Sequence, residues 1–420
     1  MTHTYTHELA GDEEIAALAE TTAGFVRTHV LPHQDEWEEA GELPRSLHEQ
    51  AGALGLLGAA YPEEVGGGGG GVRASVAVTE AAHQAGMSGG TFASLFTSGI
   101  SLPHLVQAGT PELIDAYVRP TLEGKLIGSL ALTEPGGGSD VGGLRTRAER
   151  DGDHYVLTGE KTFITSGVRA DFVVTAARTG GRGSKGVSLI VVPTDTPGFT
   201  VAKRLRKMGW HASDTAELHY DGVRVPVSLR VGEENVGFAY ISQAFVSERL
   251  GLAAQAYGGA QRALDLALQW CRDRVTFGQP LITRDTVVST LAEMTRRIDT
   301  ARVYTREVAR RWDTAAQNRA RAASGAGEAG MGGTEAGAEL LSAGQGDELD
   351  LVAAACFAKN TAVEAAEWTV SQAVQLFGGM GYMAESEVER IYRDTRILGI
   401  GGGTTEILTT LAAKRLGYTG

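Results

Sequence analysis

The hydrophobic pattern of this chain changes its period twice, and this constrains the fold more than any other feature of the sequence. Residues 1–127 and 243–420 carry apolar side chains at helical spacing. Between them, residues 128–242 form short runs rich in β-branched and aromatic residues, which Gly, Pro and Asp separate. No helical patterns alternate with these runs, so a doubly wound nucleotide-binding sheet fits poorly. We therefore expect an α+β protein with helices first, a β-domain second and helices third.

Length and charge limit the classes of protein that fit this pattern. A chain of 420 residues exceeds the usual size of one hydrophobic core, so two or three domains are expected. The formal net charge is −13 and no cluster of Lys or Arg offsets it, which argues against nucleic acid as a partner. No apolar run is long enough to cross a membrane, and no signal peptide is visible. These features predict a cytoplasmic protein without a membrane span.

Two further features concern the C-terminal region. The cysteines, Cys271 and Cys356, lie in apolar helical segments, which predicts buried free thiols, and no Cys/His spacing suggests a metal site. Residues 318–348 are rich in Gly and Ala and separate two long segments of helical period. We expect this insert to be mobile or loosely helical.

Two short motifs near the start of the β-domain could face a ligand. In LTEPGGGSD (132–140), backbone N–H groups, Thr133 and Ser139 could meet polar atoms, although a turn that opens the domain is the simpler explanation. In GEKTFITSG (159–167), Phe163 and Thr165 lie on the same side of a predicted strand. An aromatic ring beside a hydroxyl suits a flat heterocycle, but ordinary strand alternation gives the same pattern.

Two charged motifs belong to the first long C-terminal helix. In CRDRVTFGQPL (271–281), Arg274 and Thr276 follow the predicted helix end, where an Arg could bind a pyrophosphate or complement the helix dipole. In FVSERL (245–250), Glu248 lies on a largely apolar helix. Burial would raise its pKa toward the range of a general base, whereas an ion pair with Arg249 or a solvated face is the plain alternative.

A glycine-rich loop near the C-terminus, GIGGGTTEIL (399–408), carries no obvious reactive side chain at its glycines. Such a loop could hold a phosphate, form a tight turn or lie against a ligand that leaves no room for side chains. Residues 63–75 are also rich in glycine, but they lack the Lys-Ser/Thr pair of a phosphate-binding loop, so we expect only a flexible connection there.

Taken in order, these motifs resemble those of the acyl-CoA dehydrogenase family. LTEPGGGSD is similar to the family's TEPxxGSD signature, and GEKTFITSG to its G-x-K-x-aromatic-I-T segment. Four further stretches are similar to family blocks: KMGWHASDTAEL, RVTFGQPL, QLFGGMGY and IYRDTRI. The resemblance spans nearly the whole chain apart from the insert. It implies an N-terminal α-helical domain, a central β-barrel-like domain and a C-terminal four-helix bundle, with FAD bound between the last two.

The resemblance also implies a set of flavin contacts, some of them across a subunit interface. The residues expected to bind FAD are Leu132, Thr133, Ser139, Phe163, Thr165, Arg274, Thr276, Gln375, Gly378, Gly379, Thr404 and Glu406. Arg274, Thr276 and the segment 375–379 would reach the cofactor of an adjacent subunit, because family members are commonly homotetramers built from dimers. Arg284 and Asp285 stand where the family often has a Phe-Gln pair, so the contacts to adenosine are expected to differ.

The reaction that the resemblance implies is the α,β-dehydrogenation of an acyl-CoA thioester to a trans-2-enoyl-CoA. A base removes the α-proton while the β-hydride passes to flavin N5. Many family members carry that base at the position of Gly402, but a minority branch, which includes the isovaleryl-CoA and long-chain enzymes, carries it on a helix in a motif similar to SERL. We therefore expect Glu248 to be the base and the Gly402 N–H to donate to the thioester carbonyl. Ser139, Ser247 and Arg249 are expected to contact the substrate.

Several alternatives stay open at this point. The same fold serves flavin oxidases and monooxygenases, and the acyl group could be attached to a carrier protein instead of CoA. Electron-transferring flavoprotein is the expected electron acceptor, and the expected assembly is a homotetramer or a homodimer. No motif specifies the length or branching of the acyl chain.

Overall fold

The N-terminal helices fill residues 13–122 of the computed structural model, which describes residues 13–325 and 350–418. Their buried faces carry apolar residues at helical spacing, such as Phe25, Leu47 and Ala82. Two π-helical turns, Val26–Val30 and Ile114–Val118, lie among them. The α-helices are Glu13–Phe25 (α1), Gln34–Ala40 (α2), Arg45–Ala53 (α3), Gly71–Gln84 (α4), Gly89–Leu95 (α5), Ser98–Ser101 (α6), Pro103–Ala108 (α7), Pro111–Leu113 (α8) and Arg119–Leu122 (α9).

The central region is a mostly antiparallel sheet. Its strands are Gly128–Ala131 (β1), Arg147–Asp151 (β2), His154–Thr165 (β3), Phe172–Arg178 (β4), Val187–Pro193 (β5), Phe199–Arg204 (β6), Thr215–Pro226 (β7) and Arg230–Val231 (β8). The strand order is β6-β7-β3-β2-β4-β5-β8, and β1 pairs in parallel with β4. The longest pairing joins β3 to β7 in antiparallel register, from His154 opposite Pro226 to Thr165 opposite Thr215.

Strands β4 and β5 are buried on both faces, which explains their continuous apolar sequence. Phe172 and Val174 pack with Leu105 of the N-terminal helices. Val173, one position along, belongs to a second cluster with Tyr155 of β3. Because residues of β2, β3, β6 and β7 share that cluster, the sheet curls around an interior of its own. The barrel-like form implied by the family resemblance is therefore confirmed.

The C-terminal helices form one bundle around a shared apolar core. They are Gly237–Asp273 (α10), Asp285–Gly325 (α11), Leu351–Phe377 (α12), Glu387–Thr395 (α13) and Thr405–Arg415 (α14). A short hairpin, Val275–Thr276 (β9) with Gln279–Pro280 (β10), connects α10 to α11. The core includes Leu250 and Tyr257 of α10, Ile298 of α11 and Ala358 of α12. With α14 packed on α12, these helices make the expected four-helix bundle.

The element bounds bear on two expectations about domains. The first strand begins at Gly128 and the long helix α10 begins at Gly237, so the divisions at 127 and 242 stay predictions. Residues 318–325 of the predicted insert continue α11, and residues 326–348 lie outside the described part of the chain. Both cysteines are free and buried, as predicted. Within the two described ranges, no helix is sufficiently long and apolar to cross a membrane.

A buried carboxylate joins the N-terminal helices to the bundle. Glu80 of α4 accepts hydrogen bonds from the Tyr257 hydroxyl of α10 and from Arg302 Nε of α11, both at 2.9 Å. Arg306 donates two more, at 2.7 and 3.0 Å. Because the buried charge is paired and hydrogen-bonded, its desolvation is offset. The cluster fixes α4 against α10, the helix that carries Glu248.

Candidate active site

Glu248 lies on α10 between neighbours that pack into the bundle core, Val246 and Leu250. Its side chain is half-buried, and desolvation by the surrounding protein raises the pKa of the carboxyl, while the charges of Arg249 and Lys359 act in the opposite direction. Among the described residues, none donates a hydrogen bond to this carboxylate. An unpaired, desolvated carboxylate is well suited to accept a proton.

The glycine loop passes directly beside this carboxylate. Gly402 has a φ angle of 64° and Gly403 one of 96°, a left-handed backbone that side chains disfavour. A Cβ atom at Gly402 would lie 3.3 Å from Glu248 Oε1 and 2.4 Å from Leu252 Cδ1. The helix position and the loop position that the family uses for the base therefore lie side by side, and the backbone at the loop position disfavours a side chain.

The loop also presents backbone N–H groups that a ligand could use. The Gly401 N–H donates to the Ile397 carbonyl at 2.8 Å, whereas the N–H groups of Gly402 and Gly403 have no acceptor among residues 13–325 and 350–418. A free N–H in a partly enclosed site can stabilise negative charge that develops on a ligand oxygen. This arrangement fits the expected role of Gly402 as a backbone donor.

Lys359 of α12 anchors this loop, and the sequence analysis missed it. Its ammonium group donates to the carbonyl oxygens of Gly401 at 2.5 Å and Gly403 at 2.6 Å. Desolvation by burial lowers its pKa to about 8, while the charge of Glu248 acts to raise it. A lone lysine in the apolar segment LVAAACFAKNTAVEAAEW was the available signal, of the same kind that singled out Glu248.

Ser247 and Arg249, the two neighbours of Glu248, differ in whether their polar groups already have hydrogen-bond partners. Ser247 Oγ donates to the Ala244 carbonyl of its own helix at 2.9 Å. Arg249 is buried, its Nε has no hydrogen-bond partner in the described structure, and its guanidinium carbon lies 5.3 Å from the centre of the Phe245 ring. Because a buried donor without a partner is costly, Arg249 is the better placed of the two to bind a ligand.

The β-domain presents Phe163 in an unusual conformation. The residue has a φ angle of 60° at a register shift between β3 and β7, and its side chain is 68% exposed. Ile164 is buried and Thr165 is half-buried, but Lys161 and Thr162 are both buried, so regular alternation is interrupted here and a shared face for Phe163 and Thr165 stays a prediction. Left-handed backbone at a non-glycine residue is a strain that proteins tend to keep at functional sites. An exposed aromatic ring held in this way suits a flat ring system that would cover it.

The LTEPGGGSD loop is held by an ion pair that the sequence analysis also missed. Lys161 is buried, and its ammonium group lies 2.9 Å from Glu134 Oε1 and donates to the Leu132 carbonyl at 2.9 Å. Glu134 in turn accepts the backbone N–H groups of Arg145 and Thr146. Leu132 and Thr133 are half-buried at this point. The pair thus fixes the backbone of two residues expected to touch the cofactor.

Ser139, at the tip of the same loop, lines a cleft of about 870 Å³. Four arginines contribute to its walls: Arg145, Arg147, Arg178 and Arg182. Arg178 ties two loops together by donating to the carbonyls of Gly142 and Leu144, and the other three arginines are exposed. In a chain with a net charge of −13, this is a local positive region that favours an anionic ligand.

A second group of expected cofactor residues lies at the far end of α10. Arg274 follows the last residue of that helix, roughly 39 Å from Glu248 at 1.5 Å per residue. Thr276 is held by Arg284, whose Nη2 donates to its carbonyl and its hydroxyl at 3.0 and 2.8 Å. Exposed Gln375, Gly378 and Gly379 lie at the C-terminal end of α12. This end lies beside the C-terminal end of α10, because the Trp270 ring of α10 stacks on the Phe377 ring of α12. Within one chain, this second group of residues therefore lies far from Glu248.

Thr404 and Glu406 begin the last helix directly after the glycine loop. Thr404 Oγ1 accepts the Ile407 N–H at 3.3 Å and caps α14. Glu406 is exposed, and hydrogen bonds from backbone N–H and from Thr404 lower its pKa. A solvated carboxylate with a lowered pKa is a weak proton acceptor, so Glu406 does not compete with Glu248 as a base.

Comparison with known protein families accounts for the whole arrangement. The acyl-CoA dehydrogenase N-terminal domain matches residues 12–125, the middle domain residues 129–223, and the C-terminal domain residues 235–326 and 333–417. The chain belongs to the acyl-CoA dehydrogenase family. It is an enzyme, a flavin-dependent oxidoreductase of the acyl-CoA dehydrogenase type, and its cofactor is FAD.

Individual members of the acyl-CoA dehydrogenase family match over nearly the full chain. A probable acyl-CoA dehydrogenase of Bacillus subtilis is 34% identical, over 97% of this chain and 99% of its own length. A mitochondrial long-chain specific acyl-CoA dehydrogenase of Rattus norvegicus is 34% identical, over 94% of this chain and 85% of its own. The crystal structure of a putative acyl-CoA dehydrogenase from Mycobacterium smegmatis is 60% identical and superimposes with a TM-score of 0.89, covering 97% and 99% of the two chains.

The residues present fit FAD, which acyl-CoA dehydrogenases require. The exposed ring of Phe163 in strained backbone offers a surface for a flat heterocycle, and Thr165 beside it offers a hydroxyl. Exposed Arg274 and the glycines at the end of α12 suit a pyrophosphate, since both leave room for close approach. Arg274 and these glycines lie at the opposite end of α10 from Glu248, which fits a cofactor shared between chains.

Proposed function

We propose that this acyl-CoA dehydrogenase converts an acyl-CoA thioester to the trans-2-enoyl-CoA, with Glu248 as the base that removes the α-proton. The observation that carries the proposal is the position of the Glu248 carboxylate, 3.3 Å from the Cβ site of Gly402 and without a hydrogen-bond partner in the described ranges. The loop position of the more common family arrangement carries glycine in a backbone conformation that disfavours a side chain, and a carboxylate reaches the same space from α10.

The electrostatics of the pocket support this role for Glu248. Desolvation raises the pKa of the carboxyl and makes the carboxylate a stronger proton acceptor. Arg249 and Lys359 limit that rise with their positive charges, which favour the ionised form of the carboxyl that accepts a proton.

The α-proton of a thioester is weakly acidic, so the developing enolate oxygen needs hydrogen-bond donors. The free N–H of Gly402 can supply one such donor to the thioester carbonyl. FAD, when bound, supplies the acceptor for the hydride that leaves the β-carbon. Phe163 and Thr165 would orient that cofactor, and Ser139 and Arg249 would orient the thioester.

The cleft beside Ser139 supports CoA as the carrier of the acyl group. Its exposed Arg145, Arg147 and Arg182 provide charge for the phosphates of the CoA nucleotide, next to the serine expected to reach the thioester. A carrier protein would present a single phosphopantetheine and an acidic surface instead. Turnover of the same acyl group on CoA and on a carrier protein distinguishes the two, and we expect the CoA thioester to be preferred.

Assembly, electron acceptor and location complete the proposal. The second group of cofactor residues cannot reach the Glu248 pocket of its own chain, and Phe277 and Tyr382 beside it are 97% and 85% exposed. A homotetramer, or a homodimer, would bury these rings and bring Arg274 and Thr276 to the FAD of a neighbour. We propose electron-transferring flavoprotein as the electron acceptor and the cytoplasm as the location.

Substitution of the base tests the proposal directly. Glu248→Gln keeps the shape of the side chain and removes its ability to accept a proton, so we expect yellow protein with full FAD whose flavin no longer bleaches when acyl-CoA is added without oxygen. The rate should fall by at least about 10³-fold, in the range of an essential acid or base. The control is Glu364→Gln, an exposed carboxylate on α12 of the same bundle, which should bleach at close to the normal rate. Normal bleaching by Glu248→Gln would refute the assignment.

A further inference from the structure

Lys359 is a buried charge that proton abstraction by Glu248 leaves without a role. Lys359 is 1% exposed, and its ammonium group donates to the carbonyl oxygens of Gly401 and Gly403 at 2.5 and 2.6 Å. These carbonyls flank Gly402, so a single ammonium group holds the loop on both sides of the residue that faces Glu248. A hydrophobic side chain of similar length would fill the space but would leave both carbonyl oxygens without this donor.

The carbonyl of Gly401 and the N–H of Gly402 belong to the same peptide group. In a trans peptide the two point to opposite sides, so the N–H of Gly402 faces away from Lys359. An ammonium group bonded to the carbonyl draws electron density from the amide, and hydrogen bonds linked in this way strengthen each other. The Gly402 N–H, which has no acceptor among the residues described, becomes a stronger donor as a result.

The same charge acts on the base. The titratable or charged groups that influence Lys359 are Glu248 and Arg249 of α10 and Cys356 of its own helix. Lys359 in turn lowers the pKa of Glu248 against the effect of desolvation. While Lys359 is protonated, it therefore keeps more of Glu248 in the ionised form that accepts a proton.

We propose that Lys359 is a positioning residue for the dehydrogenation. It fixes the glycine loop and polarises the peptide between Gly401 and Gly402, and the N–H of that peptide stabilises the enolate oxygen that forms while Glu248 takes the α-proton. Lys359 itself transfers no proton. The inference rests on the proposed function, because it requires both the role of Glu248 and the contact between Gly402 and the thioester.

The test compares two isosteric substitutions on one helix. Lys359→Met removes the charge and both hydrogen bonds, and we expect kcat to fall roughly 10- to 100-fold with KM and FAD content little changed, somewhat less than the loss of a whole oxyanion donor. Asn360→Leu is the matched control, because Asn360 Nδ2 anchors α14 through the Thr405 carbonyl and Thr409 Oγ1, both at 3.1 Å, without touching the Gly402 peptide. We expect its kcat to stay within about threefold of normal.

The pH profile provides a readout that anchoring alone would not change. Without the charge of Lys359 the pKa of Glu248 rises, so the acidic limb of kcat/KM should move to higher pH in Lys359→Met. In the unaltered enzyme, Lys359 loses its proton as the pH rises through about 8, and kcat should decline there. That decline should be absent from Lys359→Met, and Lys359→Arg, which keeps the charge, should restore part of the rate.

A substrate analogue isolates the enolate from hydride transfer. An acyl-CoA with sulfur in place of the β-methylene has an acidic α-proton and no β-hydride to lose, and its bound α-anion gives a long-wavelength charge-transfer band with oxidised flavin. At one pH the band should be weaker in Lys359→Met than in Asn360→Leu. The inference would be overturned if the two variants gave equal charge-transfer bands and equal kcat values, and if the pH dependence of kcat/KM were unchanged in both. Lys359 would then be an anchor of the loop only.

The outcomes separate this inference from the proposed function. If Glu248→Gln is inactive and Lys359→Met is fully active, the base assignment stands and the inference about Lys359 fails. If Glu248→Gln bleaches normally, the proposed function itself fails. Should Lys359→Met not fold with FAD, Lys359→Gln replaces it, because an amide keeps a donor for one carbonyl while removing the charge.

Discussion

At the scale of single residues, the absence of a side chain at Gly402 leaves space beside the Glu248 carboxylate. Its left-handed backbone and the contact of its Cβ site with Leu252 disfavour a side chain, and the space is left to Glu248. In this chain the carboxylate beside the loop therefore comes from α10. The residue scale is also where the sequence was most informative, because both of these positions could be singled out before the fold was known.

Gly402→Ala tests this constraint. The added methyl group meets Leu252 Cδ1 and forces a left-handed conformation on alanine, so we expect a loss of about 1–3 kcal/mol in the free energy of unfolding and a much lower kcat. Gly401→Ala is the control, because the atom nearest to its Cβ site is the Ile397 carbonyl oxygen at 3.6 Å. Thermal unfolding and flavin bleaching measure the two effects. Equal behaviour of the two variants would contradict the steric account.

The residues that sequence analysis missed share a physical cause. Lys359 and Lys161 are buried lysines whose partners are backbone carbonyls and a carboxylate that lie 27 to 44 positions away in the chain. Helical or strand periodicity reports which face is apolar, but it does not reveal which distant carbonyl meets that face. Glu248 was identifiable because the SERL motif resembles a family motif. Lys161 is the lysine of the G-x-K segment but was given no role there, and Lys359 lies outside the stretches that resemble family motifs.

At the scale of elements, the position of α10 relative to α4 determines where the base points. Glu80 is 4% exposed and accepts hydrogen bonds from two different helices, so this cluster fixes the N-terminal helices against the bundle. Helical period alone predicted α10 and α12 well. It could not predict that β4 and β5 have two apolar partners, because a continuous apolar run fits a buried strand or a short buried helix equally.

Glu80→Ala tests how much the cluster around Glu80 stabilises the protein. The substitution removes one of the two carboxylates paired with buried Arg302, which keeps Asp299, and takes the acceptor from the buried Tyr257 hydroxyl, so we expect a loss of about 3 kcal/mol in the free energy of unfolding. The control is Glu307→Ala, which breaks ion pairs with Arg310 and Arg311 on the exposed side of α11 and should cost less than about 1 kcal/mol. Denaturant unfolding of both variants gives the comparison, and equal losses would mean that the cluster contributes no more than a surface pair.

At the scale of the whole molecule, the length of α10 separates Glu248 from a second group of residues that we propose to bind the cofactor. Glu248 lies in its first half and Arg274 follows its last residue, and the second group carries the highly exposed Phe277. The family resemblance predicted this division between chains, and the single chain is consistent with it. What the sequence could not predict is how Arg284 is used, since its contact with Thr276 depends on the tight turn between β9 and β10.

Phe277→Asp tests whether this end of α10 is covered by another copy. A carboxylate in place of an exposed ring should disfavour burial in an interface, so we expect a smaller assembly and weaker retention of FAD at the same time. Leu54→Asp is the control, because it alters an exposed apolar residue on the N-terminal helices and should change neither. Light scattering gives the mass and absorbance gives the FAD content. A normal assembly with normal FAD would argue against a shared site.

The contact between Gly402 and Leu252 also has an evolutionary consequence. A lineage that moved its base from the helix to the loop would need a carboxylate at 402 before it could give up the one at 248. In this chain the first of these steps places new atoms against Leu252 and against Glu248 itself. Leu252 Cδ1 is the end of a flexible side chain, so either a new rotamer or a shorter residue at 252 would make room for that step. The packing at 252 is therefore a third position that takes part in any change between the two family arrangements of the base.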